Sequence, residues 1–316
     1  MPGIRYRHLS EESLDDMIEV VTGSRAGLPH ERRMNRSEAM TYTFLDPDFD
    51  PKGTWLVYTG RDVVGFGSAN VDSNRVRAGK NDGRFEIDIL PSHRGRGIEQ
   101  VLLEKSLEYL RSRGVEKALA RSHLADEWKK SLLLSNSFKE YYRVYFLVRE
   151  GQPELPAADL PEGFSLERKL YADMSDTEVT AFADAFNESF FDHMNFAPEL
   201  PQRFINWRDC ATDPMLVTSV RMEEEIVGVC LSEESAQFNR ERGVRAGWIN
   251  ILGVKLQFRR RGLARAMLID GIQWVLSRGM DTVYIGVVSD NEKALDLYKS
   301  LGFEKEQESL WFELAV

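Results

Sequence analysis

Hydrophobic and polar positions along the chain alternate between a period near two and a period near 3.6, in an order that predicts an α/β protein. Ile4 to Leu9 alternates like a strand, and Glu11 to Val21 has helical spacing with Ser10 or Ser13 available as a cap. Thr54 to Thr59 and Val63 to Asn70 read as strands joined by the turn Gly60-Arg61-Asp62. A further strand, Phe85 to Leu90, leads into Pro91-Ser92-His93-Arg94-Gly95-Arg96-Gly97-Ile98-Glu99. A helix follows, with Leu102, Leu103, Leu107 and Leu110 on one face.

The same order returns later in the chain. The strand-like run Trp248 to Val254 feeds Arg259-Arg260-Arg261-Gly262-Leu263-Ala264, and the helix behind it carries Met267, Leu268, Ile272 and Val275 as core positions. A constant offset of 165 residues pairs Arg94 with Arg259, Gly97 with Gly262, Leu103 with Leu268 and Phe138 with Phe303, and it needs no gap between Ile89 and Phe138. The chain is a tandem repeat of one folding unit. Glu150 to Gly163, with three prolines and little periodicity, reads as an extended linker, so the expected division is 1–150, a linker at 151–163, and 164–316.

In the second half, Phe164 to Tyr171, Met215 to Val220, Ile226 to Ser232, Thr282 to Val288 and Leu310 to Leu314 are predicted strands. Thr177 to Phe191, Gln202 to Arg208 and Glu292 to Leu301 are predicted helices, and Glu233 to Gly247 is a long charged connection.

Candidate chemistry concentrates where the second-half strand turns into its helix. The first N–H groups of a helix have no intrahelical partner and, with the positive end of the dipole, favour a phosphate. Gly262 and Ala264 let a pyrophosphate approach the main chain, and Arg259, Arg260 and Arg261 supply positive charge; an arginine run could be only a solvated turn, but three cations at a helix start favour a phosphate site. A second stretch, Asn291 to Phe303, places Ala294, Tyr298 and Leu301 on one helical face, a pattern that alone denotes a core helix.

Together the two stretches resemble the GCN5-related N-acetyltransferase (GNAT) superfamily. Arg259 to Ala264 is similar to its Q/R-x-x-G-x-G/A acyl-CoA pyrophosphate loop, and Asn291 to Phe303 to its N-x-x-A-x-x-x-Y-x-x-x-G-F segment. The resemblance implies two tandem domains, each with a mixed, mostly antiparallel central sheet flanked by helices. It implies acetyl-CoA as co-substrate, no metal, and a primary amine of a small molecule or peptide as acceptor. It places the cofactor against Leu252, Gly253, Val254, Arg259, Arg260, Arg261, Gly262, Leu263, Ala264 and Asn291, and makes Tyr298 the general acid for the departing thiolate. Asn291 also opens a helix and is a natural N-cap. Gly302 suits a left-handed helix end.

Composition narrows the alternatives. Hydrophobic residues at 42% and charged residues at 29% are those of a globular protein, and no apolar run is long enough to cross a bilayer, so a cytoplasmic location without membrane association is expected. The formal net charge of −10 argues against nucleic-acid binding and suits a cationic acceptor. Cys210 and Cys230 are expected as free thiols. The chain has no G-x-x-x-x-G-K-[ST] and no G-x-G-x-x-G after a strand.

The offset shows where the halves diverge. Ala264 corresponds to Glu99, Asn291 to Asp126, Tyr298 to Leu133 and Gly302 to Ser137. A carboxylate at the turn opposes anion binding unless it points to solvent, and leucine donates no proton. The first half is expected to be structural, as a dimer or acceptor-site wall, or a relic that binds something else; a homodimer stays open. The central strand offers Trp248 and Asn250 but no carboxylate, which leaves Glu233, Glu234, Glu188, Asp192 and His193 as candidate general bases, or water. The rival reading is a non-catalytic acyl-CoA sensor or scaffold.

Overall fold

The computed structural model describes residues 3–151 and 154–316; Met1 and Pro2, and Gln152 and Pro153 of the expected linker, lie outside the described residues. Two compact units emerge, one running up to Arg143 and including Glu308–Val316, the other spanning Val144–Gln307.

In chain order the first half contains β1 (Ile4–Arg7), α1 (Leu14–Arg25), α2 (Arg36–Thr41), β2 (Thr54–Thr59), β3 (Asp62–Asn70), α3 (Ser73–Arg77), β4 (Asp82–Ile89), α4 (Ile98–Ser112), β5 (Lys117–His123), α5 (Glu127–Ser135) and β6 (Lys139–Glu150). The second half contains β7 (Ser165–Leu170), α6 (Asp176–Phe190), α7 (Pro201–Cys210), β8 (Met215–Met222), β9 (Glu225–Glu234), α8 (Ala236–Arg242), β10 (Ala246–Val254), α9 (Leu263–Ser277), β11 (Thr282–Val288), α10 (Glu292–Ser300) and β12 (Glu304–Ala315). The charged connection Glu233 to Gly247 therefore holds a short helix, α8, whose one buried residue is Phe238.

Each unit has a mixed, mostly antiparallel sheet. In the first, β1, β2, β3 and β4 pair antiparallel in order, and β4 pairs parallel with β5. In the second, β7, β8, β9 and β10 repeat that order, and β10 pairs parallel with β11. The closing strands are exchanged between repeats. Ser309 to Ala315 of β12 pair antiparallel with β5, while Val144 to Glu150 of β6 pair antiparallel with β11. The expected division at 150 and 163 follows the repeat along the chain, whereas the compact units part inside β6 and β12. The two strands stand at the same place in the repeat, and each pairs with the parallel-paired strand of the other repeat.

The core of each unit lies between the sheet and its helices. Ile98, Leu102, Leu103 and Leu110 of α4 pack on Phe85, Ile87 and Ile89 of β4. Met267, Leu268, Ile272 and Val275 of α9 are fully buried against Ile249, Val283 and Ile285. Gly271 lets α9 sit close to the sheet, since a Cβ there would lie 2.6 Å from Ser232 Oγ. Left-handed residues recur at the same offset in both halves: Gly95 and Arg260, Gly97 and Gly262, Gly114 and Gly279, Ser137 and Gly302.

Candidate functional site

The second unit opens a cleft of about 580 Å³ where its two parallel strands part. Pairing between β10 and β11 runs from Ala246–Thr282 to Ile249–Ile285 and stops there. Beyond that point β11 stays paired to β6 as far as Val288, and β10 stays paired to β9 as far as Val254. The parting therefore leaves one edge of β10 without ladder partners on the β11 side, and Leu252, Gly253 and Val254 of that edge line the cleft. A bulge at Asn250, where the register against β9 shifts between Ile249 and Ile251, marks the start of the divergence.

The turn beyond Val254 forms one end of the cleft. Gly262 caps α9 in a left-handed conformation with φ 84°, a geometry glycine adopts without strain. Gly262, Leu263, Ala264 and Arg265 line the cleft, which brings the unpaired N–H groups of the helix start to it. These groups, with the Arg260 side chain, can hold a pyrophosphate.

The three arginines divide their roles. Arg260 lines the cleft, whereas Arg261 is not part of its wall and lies over the rings of Phe164 and Phe258, 5.9 and 5.8 Å from their centroids. Arg259 borders the cleft but is engaged with the protein. It donates from Nε to Val254 O at 2.9 Å, from Nη2 to Ser189 O at 2.7 Å, and from both terminal nitrogens to Asp192. Arg94 makes the equivalent bonds, to Ile89 O at 3.1 Å and Ser24 O at 2.7 Å. The arginine shared by both halves is thus a clamp between strand end, turn and helix end, and its geometry does not depend on a bound phosphate.

The opposite wall comes from β11 and α10. Asn291 caps α10, its Oδ1 accepting from Ala294 N–H at 3.2 Å, and it also borders the cleft. Tyr298 lies one helical face further on, 5% exposed, with burial pushing its phenol well above the usual tyrosine range. Such a phenol stays protonated near neutral pH and can offer its O–H as a hydrogen-bond donor. The structure brings together Leu252, Gly253, Val254, Arg259, Arg260, Gly262, Leu263, Ala264, Asn291 and Tyr298 around one cleft; Arg261 is the exception.

Two further wall residues, inside the aromatic stretch that also supplies Glu188, Asp192 and His193, make a contact that a sequence reading misses. Ser189 and Phe190, at the end of α6, close over Gly253, where a Cβ would lie 2.7 Å from Ser189 Cβ and from Phe190 Cε2. The signal was in the repeat itself, because the offset turns Gly253 into Asp88 and Phe190 into Arg25.

In the first unit those exchanges fill the corresponding space. Arg25 donates from Nε and Nη2 to the two oxygens of Asp88 at 3.0 and 2.9 Å. Lys129, which stands where Ala294 stands in the second unit, adds its Nζ at 3.8 Å from Asp88 and 3.2 Å from Glu86. Burial alone would raise the Asp88 carboxyl, but Arg25 and Lys129 hold it down at about 2. At the turn, Glu99 does not point to solvent: its Oε1 accepts from Gly95 N–H at 2.8 Å and its Oε2 is buried. Leu133, at the position of Tyr298, is 1% exposed in the core.

Of the candidate bases, Asp192 is bound to Arg259, whose hydrogen bonds lower its pKa; Glu188 lies 3.1 Å from Lys255, and Glu234 lies 3.0 Å from Arg278. His193 lines the cleft, and burial lowers its pKa, keeping the imidazole neutral near pH 7. Glu233 accepts a hydrogen bond from Asn250 Nδ2. Among the described residues no helix is long and apolar enough to cross a membrane, and no group of three or more His, Cys, Asp or Glu could hold a metal ion.

A model of the acetyltransferase (GNAT) family matches residues 25–127 and 179–303, well over half of the chain. The chain is 27% identical over 233 residues to a mycothiol acetyltransferase of Renibacterium salmoninarum, an alignment covering 71% of this chain and 64% of that protein. A mycothiol acetyltransferase of Pseudarthrobacter chlorophenolicus is 24% identical over 267 residues, with 82% of this chain and 75% of that one covered. Among solved structures, a tandem GNAT protein from the clavulanic acid biosynthesis pathway superposes with a TM-score of 0.74 at 14% identity, covering 99% of this chain and 98% of that one. A GCN5-related N-acetyltransferase from Sphaerobacter thermophilus gives a TM-score of 0.69 at 17% identity, covering 99% and 95%.

Proposed function

Because the chain belongs to the GNAT acetyltransferase family, we propose that it transfers an acetyl group from acetyl-CoA to a primary amine of a small molecule or peptide, and that its second unit is the working half. One observation carries the reading. The second unit has a cleft between parting strands, with a helix start at one end and a tyrosine on its wall, while the first unit fills the same positions with Arg25, Asp88, Lys129 and Glu99.

In this reading the pyrophosphate rests on the N–H groups at Gly262 to Arg265 and on Arg260, and the pantetheine arm runs along the open edge of β10. The acceptor nitrogen attacks the thioester carbonyl, and a backbone N–H of Leu252 to Val254 stabilises the oxygen as it gains charge. The N–C bond forms, the C–S bond breaks, the nitrogen gives up its proton to a base or to water, and the Tyr298 phenol donates to the departing sulfur. The mycothiol acetyltransferase relatives support acetyl transfer. The chain spans only 64% of the Renibacterium protein, and its central strand has Trp248 and Asn250 where a carboxylate is common in the family, so their substrate is not carried over.

Calorimetric titration with acetyl-CoA tests the reading. One site per chain is expected, and Ala264→Glu, which copies Glu99 into the second turn, should weaken binding at least about 100-fold by setting a carboxylate against the phosphates. Two sites, or one site that survives Ala264→Glu, would assign the cofactor to the wrong place. No binding would remove the acetyl-transfer reading altogether.

A further inference from the structure

The geometry points to Glu233 as the group that receives the acceptor amine and takes its proton, with Trp248 as the aromatic wall that selects a cationic amine. This assignment rests on the acetyl-transfer reading above and adds the acceptor side to it.

The two ends of the cleft are chemically different. At the turn end stand Arg259, Arg260 and the start of α9; His193 belongs to this end, packed against the Phe190 ring at 5.0 Å and influenced by Asp192 and Arg259. The other end is where β10 and β11 begin to part, at Ile249, Asn250 and Ile285. A proton acceptor for an incoming amine is needed at that second end, away from the phosphates.

The central strand supplies no carboxylate there, but its neighbour does. Glu233 of β9 lies directly across from Trp248 of β10 in the antiparallel register, so both side chains project from the same face of the sheet. The bulge re-aims Asn250, which lines the cleft and donates through Nδ2 to Glu233 Oε2. One residue thus touches both the cleft and the carboxylate, and holds the carboxylate at the cleft's edge. Around it the same face is aromatic: Trp248 stacks on Tyr284 with centroids 4.8 Å apart, and Phe146 meets Trp248 edge-on at 6.2 Å. Phe146 also overhangs Gly286, a cleft residue. A carboxylate beside an indole is the combination that binds a primary ammonium, through charge and the ring quadrupole together.

The proton balance is complete with these groups. The acceptor docks on Glu233 as an ammonium and first passes one proton through that carboxylate to solvent, which frees the lone pair that attacks. Glu233 then takes the second N–H proton as the N–C bond forms, because the attacking nitrogen becomes acidic once it carries positive charge. The C–S bond breaks towards CoA, which leaves with a proton supplied through Tyr298 and replaced from solvent, and the proton on Glu233 passes to solvent.

The test measures CoA release by the full-length protein with acetyl-CoA and a panel of amines: spermidine, cadaverine, lysine amide and phenethylamine, with glutamate as the anionic contrast. The wild type should favour the cationic amines. Glu233→Gln should lower kcat/KM about 100-fold and remove the acid limb of its pH profile, Glu233→Asp should recover part of the rate, and acetyl-CoA affinity by calorimetry should stay unchanged in both. Asn250→Ala, which releases the carboxylate, should raise KM for the amine more than it lowers kcat. A Glu233→Gln enzyme with the wild-type rate and pH profile overturns the assignment, as does a wild type that binds acetyl-CoA and acetylates none of the cationic amines. A wild type that does not bind acetyl-CoA overturns the acetyl-transfer reading, and this assignment with it.

Discussion

Glu99 accepts a hydrogen bond of 2.8 Å from the backbone N–H of Gly95, so the turn that could cradle a phosphate in the first unit holds the chain's own carboxylate. Removing that carboxylate alone should not create a second binding site, because Arg25, Asp88 and Lys129 still fill the space behind it. Glu99→Ala is expected to leave the acetyl-CoA stoichiometry at one per chain in calorimetry; a second site would show that the turn alone decides.

Asp88 is itself a stability determinant. Its folded-state carboxyl titrates at about 2, below the ordinary 3.8, so its contribution is fully present above about pH 4 and is lost as pH falls through about 2. Asp88→Asn removes the bidentate partner of the Arg25 guanidinium, leaving it the more distant Glu86 and Glu31 at 3.5 and 3.9 Å, and should cost about 3 kcal/mol at neutral pH. Urea unfolding should show that deficit at pH 7 and a smaller one at pH 2, with acetyl-CoA affinity unaltered.

Tyr298→Phe keeps the ring and its packing, including the contact with Phe303 at 6.0 Å, and removes only the hydroxyl. Acetyl-CoA affinity should remain within about threefold, and kcat should fall by about 100-fold. Turnover that is unchanged across the pH range would remove the tyrosine from the chemistry.

Gly253→Ala tests the cleft wall. The new methyl would lie 2.7 Å from Ser189 and Phe190, so the end of α6 must shift or the β10 edge must move inward. Expected are a loss of about 1–3 kcal/mol in stability and about a tenfold weaker acetyl-CoA complex, from unfolding and calorimetry respectively.

Cys230 is buried, and its burial pushes the thiol up to about 12, so almost no thiolate is present at pH 8. Iodoacetamide should leave Cys230 unmodified in the native protein and label it in urea, as read by peptide mass spectrometry.

Much of this architecture is legible in the residues. The short runs rich in β-branched and aromatic residues in Thr54–Thr59, Val63–Asn70 and Thr282–Val288 fix strands, because such residues fill a pleated, buried surface whichever partner covers it. Local features of the site are equally readable: Gly262 at the helix start and Asn291 as a cap depend on neighbours a few residues away. What depends on distant partners is not. Nothing near Arg259 in sequence announces that its guanidinium is held by Ser189 and Asp192, seventy and sixty-seven residues upstream. The short helix α8 is missed because only Phe238 of its seven residues is buried, which leaves no apolar stripe to read. The strand exchange is invisible because it joins β12 to β5 and β6 to β11, partners that lie far apart along the chain.

That exchange bears on why an altered repeat persists. Val144 to Glu150, encoded with the first repeat, form the strand against which β11 is paired along its full length, and β11 is one wall of the cleft. A polypeptide reduced to residues 164–316 would expose the Thr282–Val288 edge as a row of unmet N–H and C=O groups beside the site, while its own last strand would be left without β5. The two copies are therefore bound to a common inheritance: the first can lose its chemistry by mutation, but it cannot be deleted from the gene without dismantling the second.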